Sequence, residues 1–214
     1  MNAEMSARAE RLRFLGLGGL LLALLATGML ALSRPVPGPP VAGSPEVTFT
    51  TMMISHHAQA VEMAERVRPR SSQRTLRSLA LDIALSQREQ LRTMHGWLTL
   101  WGQPEGPPPT PEHARMMGMA TPAELASLQT LPVPEAERTF LRLMIRHHQG
   151  ALEMVRPVLG PGIHPEVARL ARQIAATQRG EIQTMEALLA RLGGTEPSPP
   201  EPLPGEPVPS EHRH

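Results

Sequence analysis

The chain of 214 residues carries 21 basic and 20 acidic side chains, a net charge of +1, so no strong field draws nucleic acid or an acidic surface. There is no Cys and no Tyr, and there are only two Trp and three Phe. This excludes thiolate metal sites, disulfides, a lipoprotein anchor and an aromatic platform for single-stranded nucleic acid.

Residues 1–33 read as a signal anchor or a signal peptide. Arg8, Arg11 and Arg13 precede an apolar run from Phe14 to Leu32, a positive flank followed by an export-competent segment. The run of 19 residues is long enough to span a bilayer. That length favours a retained single-pass anchor in the cell membrane. Ala31-Leu32-Ser33 offers a poor cleavage site for the alternative, a secreted or periplasmic protein. Either way the positive-inside rule puts the rest of the chain on the extracytoplasmic side.

Residues 34–45 form a Pro-rich linker. Ser44-Pro45-Glu46 then opens a helix, with Ser as N-cap, Pro in the first turn and Glu favoured by the dipole. This helix runs to about Val67. A second helix, capped by Ser71 or Ser72, runs to about Trp101. Residues 103–121 read as a connection bearing Pro and Met. Thr121-Pro122-Ala123-Glu124 resembles a capping box that opens a short helix to about Gln129, and Pro132 and Pro134 interrupt it. A third long helix covers about Glu135 to Arg156 and a fourth about Pro165 to Leu192. Residues 195–214 form a Pro/Glu-rich tail read as disordered. No segment reads as a strand. The fold class is all-α: four long helices in two hairpins, giving an antiparallel bundle over residues 46–194.

The two hairpins repeat. Met53-Ile54-Ser55-His56-His57 returns as Met144-Ile145-Arg146-His147-His148, and both copies continue to Glu-Met, at Glu62-Met63 and Glu153-Met154. The offset of 91 residues holds through Gln87-Arg88 and Thr93-Met94, which return as Gln178-Arg179 and Thr184-Met185. Repeat one spans about 46–102 and repeat two about 134–194, one supersecondary unit used twice.

On a helical wheel, Phe49, Met53, His56, His57, Ala60, Ala64 and Val67 share one face. Phe140, Met144, His147, His148, Ala151, Val155 and Val158 share the equivalent face. Glu62 and Glu153 fall on the opposite side, spaced for surface ion pairs with Arg66 and Arg156. Gln87, Gln90, Gln178 and Glu181 interrupt the apolar stripes of the second and fourth helices. Buried polar groups need partners, and the histidine pairs are the natural ones.

If both pairs meet, four imidazoles with nearby thioethers make a metal site. His56, His57, His147 and His148 are the expected ligands. Met53, Met63, Met144, Met154 and Glu181 form a second tier, Glu181 as a ligand or as support for an imidazole N–H. Imidazole with thioether suits a copper ion; zinc or iron with imidazole alone stays open. His113 to Met119 is a looser cluster, either weak Cu(I) capture or an apolar flap. The alternative to metal is a structural polar core in a membrane-tethered interaction module. A ferritin-like redox enzyme is the remaining alternative, disfavoured because no long helix carries an inward Glu-x-x-His; no catalytic residue is assigned.

At these residues the chain resembles the DUF305 family. The motif M-I-x-H-H-x-x-A-[VL]-E-M stands at Met53–Met63 and at Met144–Met154. The element Q-x-x-[EQ]-[IL]-x-x-M stands at Gln87–Met94 and at Gln178–Met185. The resemblance covers roughly residues 46–193 and implies a ferritin-like bundle of two helix-pair repeats in an exported bacterial protein. Some members of the family are linked to copper binding and resistance. Gln90 stands where the second copy has Glu181, so the two halves are not equivalent. The expected protein is an exported, membrane-anchored copper-binding bundle for buffering or resistance. Its expected partners are a metal ion and, through the N-terminal helix, the cytoplasmic membrane, with no nucleic acid and no identified protein partner.

Overall fold

The computed structural model describes residues 38–193. The anchor or signal segment, the first four residues of the linker and the C-terminal tail lie outside the described residues. Among the described residues the chain is all-α, with six α-helices and no strand. No helix among them is long and apolar enough to cross a membrane.

The helices are α1 (Pro45–Val67), α2 (Arg74–Leu100), α3 (Pro111–Met116), α4 (Pro122–Thr130), α5 (Val133–Val155) and α6 (Pro165–Arg191), with a 3-10 turn at Arg156–Val158. The four long ones pack pairwise, α1 on α2 and α5 on α6, and α1 also packs on α5. Local chemistry sets their ends. Ser44 caps α1 by accepting from the Val47 N–H at 3.3 Å. Thr121 and Glu124 form the capping box expected at the start of α4. Helix α4 ends at Thr130, ahead of Pro132 as expected, and Pro134 sits in the first turn of α5, where its missing N–H costs nothing. The connection after α2 is more ordered than its composition suggests, because Thr110 and Pro111 start α3 within it.

The start of α2 departs from expectation. Its N-cap is Gln73, without a side-chain cap of its own. The carboxylate of Glu137, on α5, supplies the acceptor. Its Oε1 accepts from the N–H of Ser72 at 2.8 Å and of Gln73 at 3.3 Å, and from the Ser71 hydroxyl at 2.7 Å. Likewise Glu46, on α1, accepts from the N–H of His164, the N-cap of α6, at 3.1 Å. Glu46 corresponds to Glu137, and Gln73 to His164, under the 91-residue offset. Each hairpin's first helix thus caps the second helix of the other. Both carboxylates are buried, where charge-assisted hydrogen bonds are strong.

The core runs the length of the long helices. Phe49, Leu76, Ile83, Met94, Phe140, Leu141, Ile174, Ile182 and Leu189 are buried within it, and full burial of such a side chain contributes about 1.5–3 kcal/mol. Each apolar face read from the sequence is buried, with Glu181 at its edge and half-buried. Glu62 and Glu153 pair with Arg66 and Arg156 at 2.6 and 3.2 Å on the surface.

Candidate metal centre

Helix α1 carries His56 and His57 into the core, and α5 carries His147 and His148. All four are fully buried, at 0% exposure. Small neighbours make room: Ala60 and Ala151 are themselves at 0% exposure. His56 and His147 meet face to face, with ring centroids 3.6 Å apart and planes 27° from parallel. Consecutive helical residues diverge by about 100°, so the rings within each pair stand apart, 6.3 Å for His56–His57 and 6.2 Å for His147–His148.

Every one of the four uses Nε2 for a hydrogen bond. His56 Nε2 donates to the Met117 carbonyl at 3.0 Å, and His147 Nε2 to the His56 carbonyl at 3.1 Å. His57 Nε2 donates to Gln90 Oε1 at 2.6 Å, and His148 Nε2 to Glu181 Oε2 at 2.7 Å. A carbonyl or carboxylate oxygen only accepts, so the proton of each neutral ring resides on Nε2. The second nitrogen of each ring, Nδ1, then keeps its lone pair. All four Nδ1 atoms are buried without a hydrogen-bond partner. The side-chain amides of Gln87 and Gln178 are buried beside this stripe, and neither end of either amide has a partner. Buried polar groups rarely go unpaired, and six side chains of this core each hold at least one buried polar atom without a partner.

Burial suppresses protonation. Desolvation, helped by the neighbouring rings, lowers the His56 pKa to about 3. Desolvation lowers His57 to about 4 against the opposing effect of its hydrogen bond to Gln90. It also holds His147 well below its ordinary value. These rings are neutral at physiological pH, the form that ligates metals.

The thioethers of Met53, Met63 and Met144 are fully buried in the same core, and Met154 is half-buried against it. Glu181 is hydrogen-bonded to an imidazole N–H, the geometry of a supporting residue. Among the described residues no group of three or more His, Asp or Glu side chains is arranged to hold a metal ion. The donor chemistry still fits a soft or borderline ion: neutral imidazoles at His56, His57 and His147 in a buried core that also holds thioethers.

Several contributors were not singled out from sequence. Residues 117–120 form a strap across α1 and α5. Gln59 clasps Ala120, donating to its carbonyl at 2.9 Å and accepting from its N–H at 2.6 Å. Arg146 donates to the carbonyls of Gly118 and Met119 and pairs with Glu124; the guanidinium holds the Glu124 carboxyl down at about 2. Gly118 lies at φ +69° directly over the Arg146 carbonyl. In the loose cluster, Met117 and Met119 are buried while His113 and Met116 are exposed. His164 caps α6, and His95 pairs with Glu105 at 2.8 Å. The capping carboxylates had one available signal, their recurrence at the repeat offset; the strap overlaps the His113 to Met119 cluster read as a flap or a weak capture site, but its anchors Gln59 and Arg146 had no signal.

Residues 46–189 match the family model of DUF305, a domain of unknown function. The fold is shared with a DUF305 fragment from Deinococcus radiodurans, 62% identical, covering 71% of this chain and 99% of that one with a TM-score of 0.67. It is shared with a DUF305 protein from Streptomyces coelicolor whose description proposes secretion, 40% identical, covering 74% of this chain and 99% of that one with a TM-score of 0.67. The Cu(I)-bound form of the protein CopM is 28% identical, covering 70% of this chain and 98% of that one with a TM-score of 0.59. Structures of CopM with Cu(II) and with silver are also similar. No curated protein matches the chain. The chain belongs to the DUF305 family.

Proposed function

We propose that this is an exported metal-binding protein whose buried histidines His56, His57, His147 and His148 take copper, in a buffering or detoxifying role. The observation that carries the reading is the set of four partnerless Nδ1 lone pairs, each fixed by an Nε2–H bond on the far side of its ring. A hydrogen bond at one ring nitrogen orients the other toward a metal and raises its basicity. Met53, Met63, Met144 and Met154 are secondary candidates because thioether favours Cu(I). Glu181 supports His148. The copper- and silver-bound forms of CopM support this choice of metal.

In this reading the two helix pairs form a ferritin-like antiparallel four-helix bundle, related by an approximate twofold axis between His56 and His147. The reciprocal caps by Glu46 and Glu137 support that relation. The proposed division of the chain is a leader at 1–33, a linker at 34–45, the bundle at 46–194 and a tail at 195–214. Secretion proposed for the Streptomyces relative supports export, and the leader tethers the bundle to the outer face of the membrane if it is retained.

One competing reading has its own observation. All four Nε2–H groups are already satisfied, and His56 stacks on His147, as a purely structural polar core would have it. Anaerobic titration with Cu(I), Cu(II) and Zn(II) against competing chelators separates the two. Tight copper binding by the wild type, lost in the variant with all four histidines changed to Ala, supports the metal site. Equal, weak binding of every metal by both proteins makes the histidines structural.

A further inference from the structure

The four Nε2–H bonds do not end on equivalent acceptors. His56 and His147 donate to backbone carbonyls of Met117 and His56. The outer pair donate to side chains that correspond under the repeat offset yet differ in charge: an amide oxygen of Gln90 at 2.6 Å behind His57, and a carboxylate oxygen of Glu181 at 2.7 Å behind His148. Glu181 is the one carboxylate among the four acceptors. Its side chain is 14% exposed and that of His148 is 0% exposed, so water screens this contact weakly. Glu62 and Glu153 are occupied by arginines on the surface, and Glu46 and Glu137 by helix starts.

We propose that the acceptor behind each outer histidine sets the copper charge state that its half of the site prefers, Glu181 favouring Cu(II) at His148 and Gln90 favouring Cu(I) at His57. This rests on the histidine reading above. A carboxylate accepting the Nε2 proton sends negative charge through the ring and makes Nδ1 a stronger donor. Its attraction for a bound ion scales with that ion's charge, so it stabilises a divalent ion more than a monovalent one. An amide oxygen offers the same hydrogen bond with a dipole in place of a charge. The His57 half therefore carries no charge that favours a divalent ion over Cu(I). A protein with both halves holds copper in either oxidation state without rearranging its fold.

The test uses the full chain, with Cu(I) titrated anaerobically and Cu(II) aerobically against competing chelators. Glu181→Gln keeps an acceptor of the same shape and removes only the charge; Gln90→Glu adds the charge on the other side. Glu181→Gln is expected to weaken Cu(II) binding by about tenfold and to leave Cu(I) within about threefold, with Gln90→Glu shifting Cu(II) the opposite way. Combining the two moves the carboxylate to the other half and should restore the wild-type Cu(II) to Cu(I) ratio. NMR of the metal-free variants should show His148 still protonated at Nε2, which establishes that charge alone has changed. If wild type binds copper through its histidines but the ratio is unmoved in both single variants, or both ions weaken equally, the inference is overturned and the histidine site stands. If wild type binds no better than the variant lacking all four histidines, both are overturned.

Discussion

The carbonyl oxygen of Met117 occupies the space that a Cβ on Gly150 would fill. The same carbonyl accepts the His56 Nε2 proton, so one close approach fixes both the strap and a ring of the histidine quartet. Gly150 stands where the first repeat has Gln59, and Gln59 holds the same strap at Ala120. The strap therefore leans on two corresponding positions that carry different residues, and it gives His56 an acceptor outside the helix pairs, whereas His147 uses the His56 carbonyl.

Gly150→Ala should destabilise the fold by about 1–3 kcal/mol, because backbone at Met117 and Gly118 must move to admit the methyl group. Gly180→Ala, on α6 with open space around the added carbon, should stabilise by up to about 1 kcal/mol through helix propensity. Urea unfolding of both variants checks the pair. A neutral Gly150→Ala would mean that the strap is not pinned there.

Metal-free protein should lose stability in acid well before its surface carboxylates titrate. His56 and His57 protonate at about 3 and about 4 in the fold against an ordinary 6.5, and His147 is lowered in the same direction. Between those values the unfolded chain binds more protons than the folded one. Their contribution is thus complete above pH 6.5 and is lost as pH falls toward the folded values, at about 1.4 kcal/mol per pH unit for each histidine. Unfolding midpoints at pH 7.5, 6 and 5 with chelator present measure the slope; a flat profile would show that the rings protonate freely in the fold.

Glu137→Ala should cost about 1–3 kcal/mol, since it leaves the Ser72 N–H without its acceptor and the Ser71 hydroxyl and Gln73 N–H with only their contacts to each other's residue. Glu62→Ala breaks only a surface pair with Arg66 and should change stability by at most about 1 kcal/mol. The comparison, read by thermal unfolding, separates a capping carboxylate from a solvated one. Equal effects would remove Glu137 from any special role at the start of α2.

Helical periodicity carried most of the fold. The bounds of α1 and α6, the capping box of α4 and every buried face were readable because Ser44, Thr121 and the apolar spacing act locally. The start of α2 was not readable, since its acceptor comes from Glu137 more than sixty residues away. Likewise α3 was hidden in a proline-rich stretch, one of whose prolines, Pro111, opens its first turn. The histidines were legible as a buried quartet, but the side of each ring that faces its partner depends on tertiary contacts with Met117, Gln90, His56 and Glu181. Met154 shares a motif position with Met63 yet is less buried, because repeated sequence does not guarantee repeated packing.

Nitrogen-15 NMR of the imidazole rings, recorded before and after one equivalent of Ag(I) as a diamagnetic stand-in for Cu(I), tests the central claim most directly. The account expects four rings protonated at Nε2 in the metal-free protein. On addition of metal, Nδ1 resonances of the quartet should move while the Nε2–H signals persist. Rings protonated at Nδ1, metal-induced shifts at Nε2, or a quartet untouched by the ion while His113 or His95 responds, would contradict it.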